Sequence, residues 1–137
     1  MTHPSASYPQ PREDLDNRPF LEAWRDGRLR LQTCSECRRS FFYPRPRCPH
    51  CWSDRLVWDE LPGEGEVVSF SLIHRPNHSS FFDEVPIVLA ELRVAEGVTL
   101  LARIVGVSSD MVRTGMRVHL LKQPNRYPLP TFEPDKQ

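Results

Sequence analysis

Apolar residues along this 137-residue chain recur with two periods. In "RPFLEAWRDGRLRL", Phe20, Leu21 and Trp24 fall at helical spacing, and Gly27 stands where a helix would stop. Phe20 and Trp24 read as core contacts. Leu29 and Leu31 then alternate with Arg28, Arg30 and Gln32, the period of a half-buried strand. Further on, Trp52, Leu56, Val57 and Trp58 predict a returning strand, and Pro62, Gly63 and Gly65 break the pattern. From Glu66 the period is two. Val68, Phe70 and Leu72 alternate with Val67, Ser69 and Ser71, and Val88, Ala90, Leu92 and Val94 share the next strand's face, opposite Ile87, Leu89, Glu91 and Arg93. A turn at Glu96-Gly97 leads to Leu100, Ala102 and Ile104, a hairpin signal. "SSDMVRTGM" predicts a turn or one helical turn, and "RVHLLK" a fourth strand with Val118 and Leu120 inward. "NRYPLPTFEP" predicts an extended, proline-stiffened tail with at most a short edge strand.

One helix, and about five short strands from Glu66 onward, predict a mainly β fold built on a small barrel. The period fits an OB-type barrel and other small barrels equally. The breaks divide the chain into a flexible or clamp-like tail at 1–17, a helix with a small module at 18–61, and a β module at 62–137. Proline placement agrees: none of the 14 falls between Pro19 and Pro44 or between Pro86 and Pro124, the windows where regular structure should lie.

Charge narrows the function classes. Eighteen basic residues balance eighteen acidic ones. A protein that grips duplex DNA through its phosphates carries a marked basic excess, so that class is excluded. No apolar run reaches the ~20 residues of a membrane-spanning helix. The opening "MTHPSASYPQPREDLDN" lacks the basic and apolar regions of a secretory signal. A reducing cytoplasm is the expected compartment, and cysteines there are metal ligands more often than disulfides.

All four cysteines lie in "CSECRRSFFYPRPRCPHC", as two C-x-x-C pairs separated by ten residues. Thiolates suit zinc, which takes four ligands in a tetrahedron, and two such pairs brought together by a hairpin close the sphere. Cys34, Cys37, Cys48 and Cys51 are therefore expected to hold one structural zinc, with iron as the main rival. His50, inside the second pair, reads as solvent-facing. A closed sphere leaves no position for substrate, so chemistry at the metal is not expected. Arg38, Arg39, Arg45 and Arg47 admit three readings: compensation of the anionic cluster, a site for an anionic ligand or acidic partner, or a nucleic-acid patch with Phe41, Phe42 and Tyr43 as stacking platforms.

The chain lacks the nucleotide-binding, serine-hydrolase and metalloprotease motifs, and no cysteine is left over as a nucleophile. His74 and His78 bracket Pro76, which opposes the helix that a metal-binding pair four apart would need. His119 reads as an outward strand residue. The segment "HRPNHSSFFDEVP" stands out, because Phe81 and Phe82 are adjacent in a polar loop. His74, Arg75, Phe81 and Phe82 are thus candidate contacts for a partner or ligand.

The ordered set of motifs resembles the zinc-ribbon OB-fold proteins associated with acyl-CoA enzymes, domain of unknown function family 35. The matching pieces are "FLEAWRDGRL", the knuckles "CSEC" and "CPHCWS", "GEGEVVSFSLIHRP", "VPIVLAELRVAEGVTLLARIVGV", "TGMRVHLL" and "LPTFEP", which together run from Phe20 to Pro134. The resemblance implies an N-terminal helix, a rubredoxin-like zinc ribbon and an OB-fold barrel, with the four cysteines as zinc ligands and no catalytic residue to carry over. It also implies a non-catalytic subunit that stabilises a thiolase-superfamily enzyme (thiolase, acyl-CoA synthase or aldolase) or a hot-dog hydratase, or completes its acyl-CoA channel, with acyl-CoA at the shared interface. The rival expectations are a single-stranded nucleic-acid binder and a stand-alone acyl-CoA binder. Thr131 and Glu133 depart from the family pattern in the tail, and Glu133 argues against a CoA-phosphate contact there.

Overall fold

A computed structural model describes residues 8–122 and 127–135. Helix α1 spans Arg18–Arg25, with Pro19 in its first turn, and buries Phe20, Leu21, Ala23 and Trp24 on one face. Gly27, at φ +80°, turns the chain out of the helix, in the left-handed region that glycine enters without strain. No helix among the described residues is long and apolar enough to cross a membrane.

Strands β1 (Leu29–Cys34), β2 (Ser40–Phe41) and β3 (Leu56–Leu61) form an antiparallel sheet in the order β2-β1-β3. Five more close a barrel: β4 (Glu64–Ile73), β5 (Ile87–Ala95), β6 (Val98–Ile104), β7 (Arg117–Leu120) and β8 (Thr131–Pro134), in the order β4-β5-β6-β8-β7. Numbered within the barrel, that order is 1-2-3-5-4 closing on 1, as in an OB fold. The expected mainly β fold, with a helix, a ribbon and an OB-type barrel, is what the chain forms.

The inward faces predicted for the central hairpin hold. Val88, Ala90, Leu92 and Val94 are buried, as are Leu100, Ala102 and Ile104. The first barrel strand differs. Val67 pairs with Leu92 and Ser69 with Glu91, so Val68 is the extra residue of a β-bulge. The bulge puts Val67, not Val68, in the core, then returns Phe70 and Leu72 to the face of Ala90 and Val88. The C-terminal segment differs more. Thr131–Pro134 is no edge strand: it pairs parallel with β6 and antiparallel with β7, and it seals the barrel. Phe132 is fully buried as a result.

One apolar cluster runs from Phe20, Leu21 and Trp24 through Leu29 and Leu31 into the barrel interior. The helix and the first strand thus pack on the barrel. The cysteine end of the ribbon has a separate small cluster of Cys34, Phe41 and Cys48. The described part of the N-terminal segment is packed as well. Tyr8 is 7% exposed. Asn17 is buried and donates from Nδ2 to the Arg12 carbonyl (2.9 Å) and to the Tyr43 hydroxyl (3.1 Å).

Candidate functional site

The two C-x-x-C turns are built alike. In the first, Arg38 N donates to the Cys34 carbonyl (2.8 Å); in the second, Trp52 N donates to the Cys48 carbonyl (2.9 Å). Each turn ends on a non-glycine residue at positive φ, Arg38 at 65° and Trp52 at 67°. These turns aim backbone N–H groups at sulfur: Cys37 N lies 3.5 Å from Cys34 Sγ, and His50 N 3.3 Å from Cys48 Sγ. Gln32 holds the approach to the second turn, donating to the Arg45 carbonyl (3.0 Å) and accepting from Arg45 N (2.9 Å).

All four Sγ atoms lie within 4.8 Å of one another, with Cys34–Cys51 at 3.5 Å and Cys37–Cys48 at 3.6 Å. A tetrahedron with zinc–sulfur bonds of about 2.3 Å has edges of about 3.8 Å, so the donor set fits one such ion. No disulfide joins them. The electrostatics also call for a cation. The Cys37 backbone N–H and further hydrogen bonds lower Cys34 to about 6. Cys51 has the Ser53 N–H favouring its thiolate, but burial and its three thiol neighbours outweigh that and push it up to about 12. Cys48 is lowered and Cys37 raised within the same group. Four thiols this close do not all ionise without a positive charge between them. The four cysteines are positioned to bind one metal ion, and they fill its sphere.

The ribbon's arginines are at the surface. Arg39 Nη1 lies 3.3 Å from His50 Nδ1, Arg45 Nε donates to the Tyr43 carbonyl (3.2 Å), and Arg47 Nη1 to that of Trp52 (3.2 Å). The aromatic platforms of the nucleic-acid reading are otherwise engaged. Phe41 is buried beside the cysteines, and Phe42 packs edge-on against Phe20 with ring centroids 5.1 Å apart.

The loop after β4 carries a 3-10 turn over Ser79–Glu84, capped by His78, whose Nδ1 accepts from Ser80 N (3.1 Å). His74 and Arg75 are exposed, and among the described residues no histidine joins a group of metal ligands. The two phenylalanines part company. Phe82 points outward, 57% exposed. Phe81 is half-buried, and its ring stacks on Tyr8 with centroids 5.0 Å apart. It belongs to a network that the linear pattern did not show. The Tyr8 hydroxyl donates to Glu84, Glu84 pairs with Arg103 at 2.7 Å, and the Arg103 guanidinium lies 4.2 Å from the Tyr127 ring centroid. These partners are up to 76 residues apart, and a buried arginine on a barrel strand has no local signature.

Comparison with known proteins agrees with this architecture. Residues 21–57 match the ChsH2 rubredoxin-like zinc ribbon domain, and residues 58–121 the ChsH2 C-terminal OB-fold domain. Over 135 residues the chain is 37% identical to the "Probable enoyl-CoA hydratase alpha subunit" of Thermomonospora curvata, covering 96% of this chain but only 41% of that protein's length. It is 30% identical over 110 residues to a DUF35 domain-containing scaffold protein of Methanocaldococcus jannaschii, 76% of this chain and 77% of the relative. A solved structure, "Ltp2-ChsH2(DUF35) aldolase", contains a chain 35% identical, superposing with a TM-score of 0.78 over 91% of this chain and 98% of that one. The protein therefore belongs to the DUF35 family of ChsH2-type zinc-ribbon, OB-fold proteins.

Proposed function

We propose that the chain is a non-catalytic accessory subunit of an enzyme acting on acyl-CoA. The partner is a thiolase-superfamily enzyme, such as a thiolase, acyl-CoA synthase or aldolase, or a hot-dog hydratase. The chain stabilises that enzyme or completes its acyl-CoA channel. The observation that carries the reading is the match over nearly the full length of the DUF35 chain in the "Ltp2-ChsH2(DUF35) aldolase" structure. The relative named as an enoyl-CoA hydratase alpha subunit supports an acyl-CoA substrate for the partner. The zinc is structural here, since four cysteine ligands leave no open position for substrate.

The loop supplies the contact. His74, Arg75 and Phe82 face solvent and dock on the enzyme, while Phe81 supports them from within by stacking on Tyr8. Co-expression with candidate thiolase-superfamily enzymes and hydratases from the same organism, followed by size-exclusion chromatography, tests the reading. The expected result is one co-eluting peak that Phe82→Ser splits. A chain that stays monomeric beside such an enzyme, or hydrolyses CoA thioesters alone, would overturn it.

A further inference from the structure

The two C-x-x-C turns meet at their sulfurs, with Cys34 and Cys51 at 3.5 Å, and they end on Arg38 and Trp52. Trp52 is 73% exposed. It stands at φ 67°, in the left-handed region where a bulky side chain is strained and glycine is not. The indole gains nothing within the chain from that position. It belongs to neither apolar cluster, and its ring has no aromatic or cation–π partner among the described residues. Only its backbone is used: its N–H donates to the Cys48 carbonyl, and its carbonyl accepts from Arg47 Nη1.

Four exposed arginines belong to this end of the ribbon. Arg47 holds the Trp52 carbonyl, Arg39 lies on His50, and Arg38 ends the first turn. Arg55 is tied to that turn through its carbonyl, which accepts from Ser35 N and Ser35 Oγ (2.9 Å each). None of the four guanidiniums pairs with a carboxylate among the described residues, although Glu36 and Asp54 lie in the same segment. By contrast, Arg18, Arg25, Arg28, Arg93, Arg103 and Arg117 all form ion pairs. Nor do these guanidiniums bond to the cysteines: the N–H groups on sulfur are those of the Cys37 and His50 backbone. Direct compensation of the thiolates therefore leaves these side chains unused.

Tryptophan and arginine are the side chains that anchor protein interfaces, and clustered guanidiniums select carboxylates. A nucleic-acid strand asks for successive stacking platforms. The tip offers one, since Phe41 is buried and Phe42 packs on Phe20. We propose that the ribbon tip binds an acidic segment of another protein, with an apolar residue on the Trp52 ring and carboxylates on Arg38, Arg39, Arg47 and Arg55. This surface is separate from the loop that carries Phe82, and it does not rest on the accessory-subunit reading.

The test titrates the zinc-loaded, full-length protein with a labelled peptide of about ten residues, glutamates flanking two central leucines. An oligothymidylate and phosphatidylglycerol vesicles serve as competing probes. Fluorescence anisotropy and vesicle co-sedimentation read affinity, and the indole N–H signals in NMR separate exposed Trp52 from buried Trp24. The peptide is expected to saturate, to shift the Trp52 indole and not that of Trp24, and to bind about tenfold more weakly in 0.5 M than in 0.05 M salt. Trp52→Gly relieves the positive φ and removes the ring, so it is expected to weaken binding about fivefold or more with zinc content unchanged. Arg39→Glu with Arg55→Glu is expected to weaken it about tenfold or more. Arg113→Glu, at an exposed position between β6 and β7, and Phe82→Ser are expected to leave it unchanged. Failure to saturate, intact affinity in either tip variant, or an equal loss in Arg113→Glu or Phe82→Ser would overturn the proposal. So would tighter binding of the oligothymidylate or of the vesicles.

Discussion

Removing the Glu84 carboxylate should loosen the loop that carries the proposed contact, by an amount the structure sets. Glu84 and Arg103 pair at 2.7 Å, with side chains 22% and 11% exposed. Breaking a fully buried pair by deleting one partner costs about 3–5 kcal/mol. Glu84 is about one-fifth exposed, so water reaches the stranded guanidinium, and the expectation for Glu84→Ala falls to about 2–3 kcal/mol. At roughly 4 °C per kcal/mol for a chain of this length, Tm drops by about 8–12 °C. Replacing both partners removes the stranded charge, so Arg103→Met in the Glu84→Ala background should recover at least about 1 kcal/mol. Urea unfolding at fixed zinc concentration measures the cycle, and amide exchange should rise first across Ser79–Glu84. A loss below about 0.5 kcal/mol, or additivity of the two changes within that margin, would refute the role given to the Glu84–Arg103 pair.

Other consequences are separable. Cys37 and Cys51 titrate above their ordinary values, so near neutral pH zinc must displace both protons, and affinity falls as pH falls. Chelator competition between pH 7 and 8 should give a slope of at least about two in log Kd per pH unit; a slope below one would contradict the thiol set. Phe132→Ala, at the fully buried centre of the closing strand, should cost about 3–5 kcal/mol in urea unfolding. An edge-strand residue would lose far less. Phe82→Ser should hold stability within about 0.5 kcal/mol, whereas Phe81→Ser should lower it by removing the ring under Tyr8; equal losses would undo that distinction.

What could be read directly from the sequence was local or strictly periodic. The cysteine turns declare themselves because each pair of ligands sits within one turn, and thiolate chemistry restricts the partner. The β5–β6 hairpin declares itself because alternation holds across a short turn. The Val68 bulge is invisible to alternation, since it changes phase in the middle of a run of apolar and serine residues. From sequence the closing strand reads as at most an edge, because its segment is short and stiffened by proline. Its burial comes from pairing with Arg103 and Ile104, which lie nearly thirty residues earlier. Arg103 itself looks like a surface charge until Glu84, Tyr8 and Tyr127 are assembled around it.

The account turns on the chain acting through another enzyme. The most direct test is the steady-state turnover of a CoA thioester by a candidate thiolase-superfamily enzyme or hydratase as this chain is titrated into it. A saturable rise in turnover, with no activity from the chain alone and loss of the effect in Cys37→Ser, is the predicted result. Turnover by the chain alone, or an enzyme rate indifferent to its addition, would contradict the account.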